Sequence, residues 1–278
     1  MAFVLRRGTS RAKLCLTTAC VVASLGLLAV PAVGDAWSQY QSEEVIASVD
    51  TACEYETDEA QNLLAEAQRY NNEIAGIADE APTLAYSEQL SCRGEEAMGW
   101  VEIPRINVRL PIYHGADEQA LASGIGHVEG TSLPVGGASS NCVLAAHTGM
   151  TFARMFDDIG TLEPGDFVIV HVLGAELTYE VEESFVVWPW ETDALDIEAG
   201  RDLVTLVTCT PYGVNDHRLI VRASRTTREA TPDSAAEDLV QSLDAHTLPL
   251  VIGVSVTTCT LGIWAATTTI RKKKEEER

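Results

Sequence analysis

The chain has 278 residues, with 41 Asp and Glu against 19 Lys and Arg and a formal net charge of −22. Between Asp35 and His246 the imbalance sharpens to 38 acidic and 10 basic residues, a net of −28, and a surface of that sign excludes nucleic acid as a partner. No internal repeat or metal motif stands out, and His114, His127, His171 and His217 are scattered as packing or hydrogen-bonding residues, so neither a metal nor a cofactor is expected.

Residues 1–13 carry Arg6, Arg7, Arg11 and Lys13, and Leu14 to Gly34 follows as 21 residues without a charge, enough for one membrane span. A cleaved signal peptide ending at Ala32-Val33-Gly34 is the alternative, and retention as an anchor is the preferred reading. Thr247 to Ile270 forms a second uncharged run, closed by Arg271, Lys272, Lys273 and Lys274. Basic flanks at both outer ends place residues 1–13 and 271–278 in the cytoplasm and residues 35–246 on the far side of the membrane.

Ser42 to Ala78 is rich in Glu, Ala, Gln and Leu, with Leu63, Leu64, Ala67 and Tyr70 at helical spacing, and predicts one or two helices within a pre-barrel region, 35–97. From Trp100 short β-rich runs between Gly, Pro and Asp turns take over, including Phe167 to Val172, Leu177 to Val181 and Phe185 to Val187. Many strands at this spacing predict a mostly β domain over 98–225, a sandwich or a closed barrel. A short helix is expected at Phe152 to Ile159, and residues 226–246 read as an acidic linker to the second span.

Chemistry concentrates late in the β region. Leu203 to Thr208 reads as a strand, Pro211 and Gly213 mark a turn, and Arg218 to Ala223 resumes a strand, which brings Cys209 close to Arg218 if the strands are neighbours. Arg218, Ile220 and Arg222 then share one face, and Arg222 reads as a supporting or solvated charge. Val143-Leu144-Ala145-Ala146-His147 ends a further apolar run on a histidine. A thiol, an imidazole and a guanidinium are the groups that cysteine acyl transfer requires.

The string TLVTCTPYGVNDHRLIVRASR resembles the active-site segment of sortases, and its TPYG and HRL elements resemble class C, the pilin-polymerising branch found in Gram-positive bacteria. MGWVEIPRI from Met98, LPIYHG from Leu110, GHVEGTSLPVGG from Gly126 and AHTG from Ala146 extend the likeness over about Gly99 to Arg225. The resemblance implies a closed eight-stranded β-barrel with short helices, preceded by the helical segment and flanked by the two spans. It also implies His147, Cys209 and Arg218 as catalytic residues. The expected reaction cleaves an LPXTG-like sorting signal between Thr and Gly through a Cys209 thioacyl enzyme. The acyl group then passes to a lysine amine of a pilin subunit. Anchoring of surface proteins to the wall and hydrolysis by a cysteine endopeptidase are the alternatives.

Class C sortases often carry an Asp-Pro-aromatic lid before the barrel, whereas residues 79–91 read DEAPTLAYSEQLS. Tyr86 or Pro82 is then the candidate cover, or the lid is absent, or it is held by a Cys53–Cys92 bridge. Four cysteines fall outside the spans. Cys142, five residues before His147, reads as core, while Cys53 and Cys92 are either disulfide-bonded or both free. All lysines (Lys13, Lys272, Lys273 and Lys274) lie at the membrane flanks. That pattern would spare a lysine-accepting enzyme from acylating itself, although an arginine bias of the source is the simpler reading.

Overall fold

The computed structural model describes residues 8–52, 57–78 and 81–228. The second apolar run, its acidic linker after Arg228, the basic tail and Cys53 lie outside the described residues.

Helix α1 (Gly8–Ala52) is a single element of 45 residues that crosses the boundary between the first apolar run and the acidic region without a break. It is long and apolar enough to cross a membrane over its N-terminal part. Its C-terminal part lies on the barrel, where Ser42 and Ile46 are buried. Polar latches fix it there: Arg109 Nη1 meets Glu43 at 2.8 Å, and Trp100 Nε1 donates to Asp50 at 2.8 Å. Helix α2 (Asp58–Ile74) starts on Thr57, whose hydroxyl accepts from the Ala60 N–H, with Asp58 and Glu59 in its first turn to complement the helix dipole.

Eight strands follow: β1 (Ala97–Ile103), β2 (Val108–His114), β3 (Ile125–His127), β4 (Ser140–Ala145), β5 (Phe167–Val172), β6 (Ala175–Val187), β7 (Asp202–Thr210) and β8 (His217–Arg225). They close into a barrel in the order β1-β2-β3-β4-β7-β8-β6-β5, the eight-stranded architecture that the resemblance implies. A short helix α3 (Glu118–Ser123) joins β2 to β3. Alternation decides which side chains fill the interior: Val101 and Ile103, Leu110 and Ile112, Val168 and Val170, and Val204 and Leu206 are buried in pairs two residues apart. The two runs read separately at Leu177 and Phe185 form one strand, β6, with a bulge between Val181 and Glu183.

The segment before β1 wraps the β2 and β3 wall, and buried polar groups hold it. Asn71 accepts from Leu133 N at 2.7 Å and donates to its carbonyl at 3.2 Å. Glu66 accepts from Thr83 N at 2.7 Å and from Leu84 N at 3.3 Å, and these amides hold its carboxyl below the usual range. Tyr86 is tied to the wall. Its hydroxyl accepts from Gly115 N at 2.8 Å and lies 2.8 Å from His127 Nδ1. His127 Nε2 donates to Ser132 O at 2.8 Å, so Nδ1 is the acceptor for the Tyr86 hydroxyl. Cys142 is buried and free, and burial pushes its thiol up, in keeping with a core role. Cys92 is disulfide-bonded, with its sulfur 3.6 Å from the Ala52 carbonyl oxygen.

Burial pushes the His127 pKa down to about 4, whereas an unfolded chain protonates its histidines near 6.5. The unfolded state therefore binds more protons between those values, and stability falls as pH drops through that window. NMR titration should show the His127 ring still neutral at pH 5, with thermal unfolding moving to lower temperature between pH 6.5 and 4. Tyr86→Phe should cost about 1–3 kcal/mol by leaving Nδ1 without its donor. If Tyr86 anchors the wall and does not cover the site, the same variant leaves the alkylation rate of Cys209 unchanged.

Candidate active site

Strands β7 and β8 pair antiparallel with Cys209 opposite Arg218. Along β7 the interior positions are Val204, Leu206 and Thr208, so Thr205, Val207 and Cys209 point outward, and their partners Arg222, Ile220 and Arg218 share that outer face. The connecting turn brings the strands around tightly. Its Thr210-Pro211 bond is cis, and the Pro211 carbonyl accepts from Val214 N at 3.0 Å and Asn215 N at 2.9 Å. Arg218 Nη1 donates to the carbonyls of His217 and Asn215 at 2.9 and 3.2 Å, which orients the guanidinium and leaves its other donors for a ligand oxygen.

His147 reaches the same end of the barrel from β4. That strand runs parallel to β7, in register from Ser140↔Asp202 to Ala145↔Val207. Ala146 N donates to Val207 O at 3.2 Å, and the Thr208 hydroxyl donates to Ala146 O at 2.8 Å. Those bonds carry the pairing one residue past the strand, so His147 emerges beside Cys209. Both side chains are half-buried, as is Arg218. The structure thus brings all three sequence-identified residues together.

The loop after His147 departs from expectation. Residues 152–159 form turns, with a 3-10 turn at Ile159–Thr161, in place of the predicted short helix. The donor that would close the first helical turn is spent elsewhere: Phe156 N donates to His147 O at 3.1 Å, while the Arg154 N–H, which a helix starting at Phe152 leaves free, donates to Asp35 Oδ1 at 3.0 Å. Met155 also sits at φ 41°, outside the right-handed helical region. Asp157 Oδ1 accepts from Gly149 N at 2.6 Å and from the Thr148 hydroxyl at 3.0 Å, clamping the segment that carries His147. Gly149 has φ +81°, and a Cβ there would lie 3.4 Å from the Tyr212 ring, so the β7–β8 turn packs over the histidine loop.

On the opposite side of Arg218, Val187 is its partner on β6, and the chain continues into an exposed aromatic rim. Trp188 and Trp190 stack at 5.0 Å, and Trp188 lies 3.9 Å from the His217 ring. Arg222 bonds Glu183, Glu198 and the Ala194 carbonyl at 3.0–3.1 Å, supporting this rim and not standing free in solvent. Thr205 donates to Asn141, which donates to the carbonyls of Leu195 and Asp196, so the rim is laced to the outer face of β4 and β7. Sequence reasoning missed Thr208, Asp157 and the tryptophan pair. Only the tryptophans left a signal, two large aromatics in a polar turn. Among the described residues no group of three or more His, Cys, Asp or Glu is arranged to hold a metal.

Comparison with known proteins follows this geometry. Residues 101–226 match the family model described as Sortase domain. Sortase C-1 from Actinomyces oris is 44% identical, with a TM-score of 0.55 over 60% of this chain and 98% of that one. Sortase C1 from Streptococcus agalactiae is 36% identical, with a TM-score of 0.61 over 68% of this chain and 100% of that one. Sortase D of Bacillus subtilis is 31% identical over 135 residues, 48% of this chain. The chain spans 65% of the length of that curated relative.

Thr208→Val should remove the bond that fastens Ala146. Urea denaturation should show a loss of about 1 kcal/mol, and the His147 ring resonances should shift. Thr208→Ser, which keeps the donor, should restore both.

Proposed function

The chain belongs to the sortase family, and from that premise we propose that it is a membrane-anchored cysteine transpeptidase of the pilin-polymerising class, with its barrel outside the cell. The observation that carries this reading is the Cys209↔Arg218 register pair, with His147 delivered alongside by the β4–β7 pairing. Class C is favoured by the TPYG turn and by the likeness to sortases C-1 and C1.

In this mechanism the Cys209 thiolate attacks the threonine carbonyl carbon of an LPXTG-like sorting signal. The developing oxyanion meets the guanidinium of Arg218, already oriented by its two carbonyl bonds. Protonated His147 gives its proton to the glycine amine as the C–N bond breaks, leaving a thioester on Cys209. A lysine amine of the next pilin subunit then attacks the thioester, His147 takes its proton, and the C–S bond breaks as the isopeptide forms. Water competes at the thioester stage, and the half-buried setting of Cys209 limits its access.

Purified enzyme with an LPXTG-type peptide and a lysine-bearing pilin fragment should yield the isopeptide-linked product by mass spectrometry. Cys209→Ala and Cys209→Ser should abolish it while remaining folded. His147→Ala and Arg218→Lys should each reduce turnover by about 10²–10⁴, since a point ammonium does not reproduce the planar guanidinium fork. Cleavage without any amine-linked product would replace transpeptidation by hydrolysis, and near-native rates in Arg218→Lys would make Arg218 a structural residue.

A further inference from the structure

The loop that carries His147 is fastened to α1 at the point where that helix changes from apolar to charged. Asp35, the first charged residue after the run of Leu14 to Gly34, accepts from the Arg154 N–H at 3.0 Å. One residue earlier, Gly34 touches Phe152 so closely that a Cβ would lie 2.8 Å from the ring. The catalytic end of the barrel and the end of the span are therefore level with each other.

The surface around this junction is apolar and uncovered. Val30, Val33 and Trp37 of α1 and Met150, Phe152 and Ala153 of the loop line one continuous patch. Phe152 is 57% exposed, Val33 66% and Trp37 61%, although each is a large apolar side chain. Trp37 and Tyr40 lie with ring centroids 6.0 Å apart, one turn beyond the uncharged run, where aromatic side chains settle at the headgroup level of a bilayer.

The opposite end of α1 fixes the direction. Val49 and Ala52 line a small cavity with Leu173, at the hairpin between β5 and β6. That hairpin is the far end of the barrel, because β6 begins there at Ala175 and ends at Val187 beside Arg218. Helix α1 thus runs along the barrel from the catalytic end to the hairpin end with no linker between span and domain. At about 1.5 Å per residue, the uncharged run covers roughly 30 Å, the thickness of the hydrocarbon core, which places Gly34 at its edge.

We propose that the Gly149–Ala153 loop, with Phe152 as its wedge and Trp37 and Tyr40 beside it, rests in the bilayer interface, so that the catalytic end of the barrel faces the membrane. The occupant of the apolar patch is lipid, because the patch is continuous with the span. This inference rests on the membrane-anchor reading of α1. It gives the site a substrate geometry: a sorting signal still tethered to the bilayer is presented at the height of Cys209.

The test is photocrosslinking of the full chain in proteoliposomes of phosphatidylglycerol and phosphatidylethanolamine, with p-benzoylphenylalanine placed in turn at positions 27, 152 and 176. Lipid adducts at 27 and 152, and none at Glu176 on the hairpin end, are expected by mass spectrometry. Adducts at 27 without any at 152, or a crosslink from 152 to a second copy of the chain in place of lipid, would overturn the membrane-facing loop and leave the anchor intact. No lipid adduct at 27 would remove the anchor itself, and the proposal with it.

Discussion

The site depends on where β7 sits. A parallel pairing cannot be closed by a short turn, so placing β7 between β4 and β8 requires the chain to build β5 and β6 first and return. The closing bond from Thr208 to Ala146 spans 62 residues. Such long closure is entropically costly, and the apolar pairs that fill the barrel on both sides of β7 offset it. Once β7 is in place, register does the rest. Cys209 faces Arg218 on one side, and the extension of β4 delivers His147 on the other.

Arg218 differs from most arginines of this acidic chain in how it is held. Arg69, Arg109, Arg154, Arg201, Arg222 and Arg228 are each met by a carboxylate. Arg218 is held by main-chain carbonyls instead. Neutral acceptors orient a guanidinium without cancelling its charge, which is the arrangement an oxyanion requires.

Much of this is legible in the sequence where chemistry and periodicity coincide. The β7–β8 pair shows as two apolar, β-branched runs around a Pro-Gly turn, and the cysteine and arginine mark its ends. The run before His147 is equally plain, but its parallel pairing with β7 is a nonlocal fact that no window of sequence contains, and only the family likeness supplies the barrel. Residues 152–159 do not form the expected helix because Met155 takes a positive φ and the Phe156 amide turns back to His147 O in place of Phe152 O. The setting of Tyr86 is hidden for a related reason: its hydroxyl bonds His127, whose burial no local pattern reveals.

Strand β7 has both faces covered, by the barrel interior on one side and by the Asn141–Thr205 lacing of the rim on the other. From Asp202 to Val207 it is paired on both edges, with β4 and β8, whereas the end that carries Cys209 continues in register with β8 alone. The turns that bear Tyr212, Trp190 and Gly149 are exposed and open locally at far lower free energy. Hydrogen exchange would be expected to separate the paired part of β7, slow to exchange, from the exposed turns around it, which exchange faster.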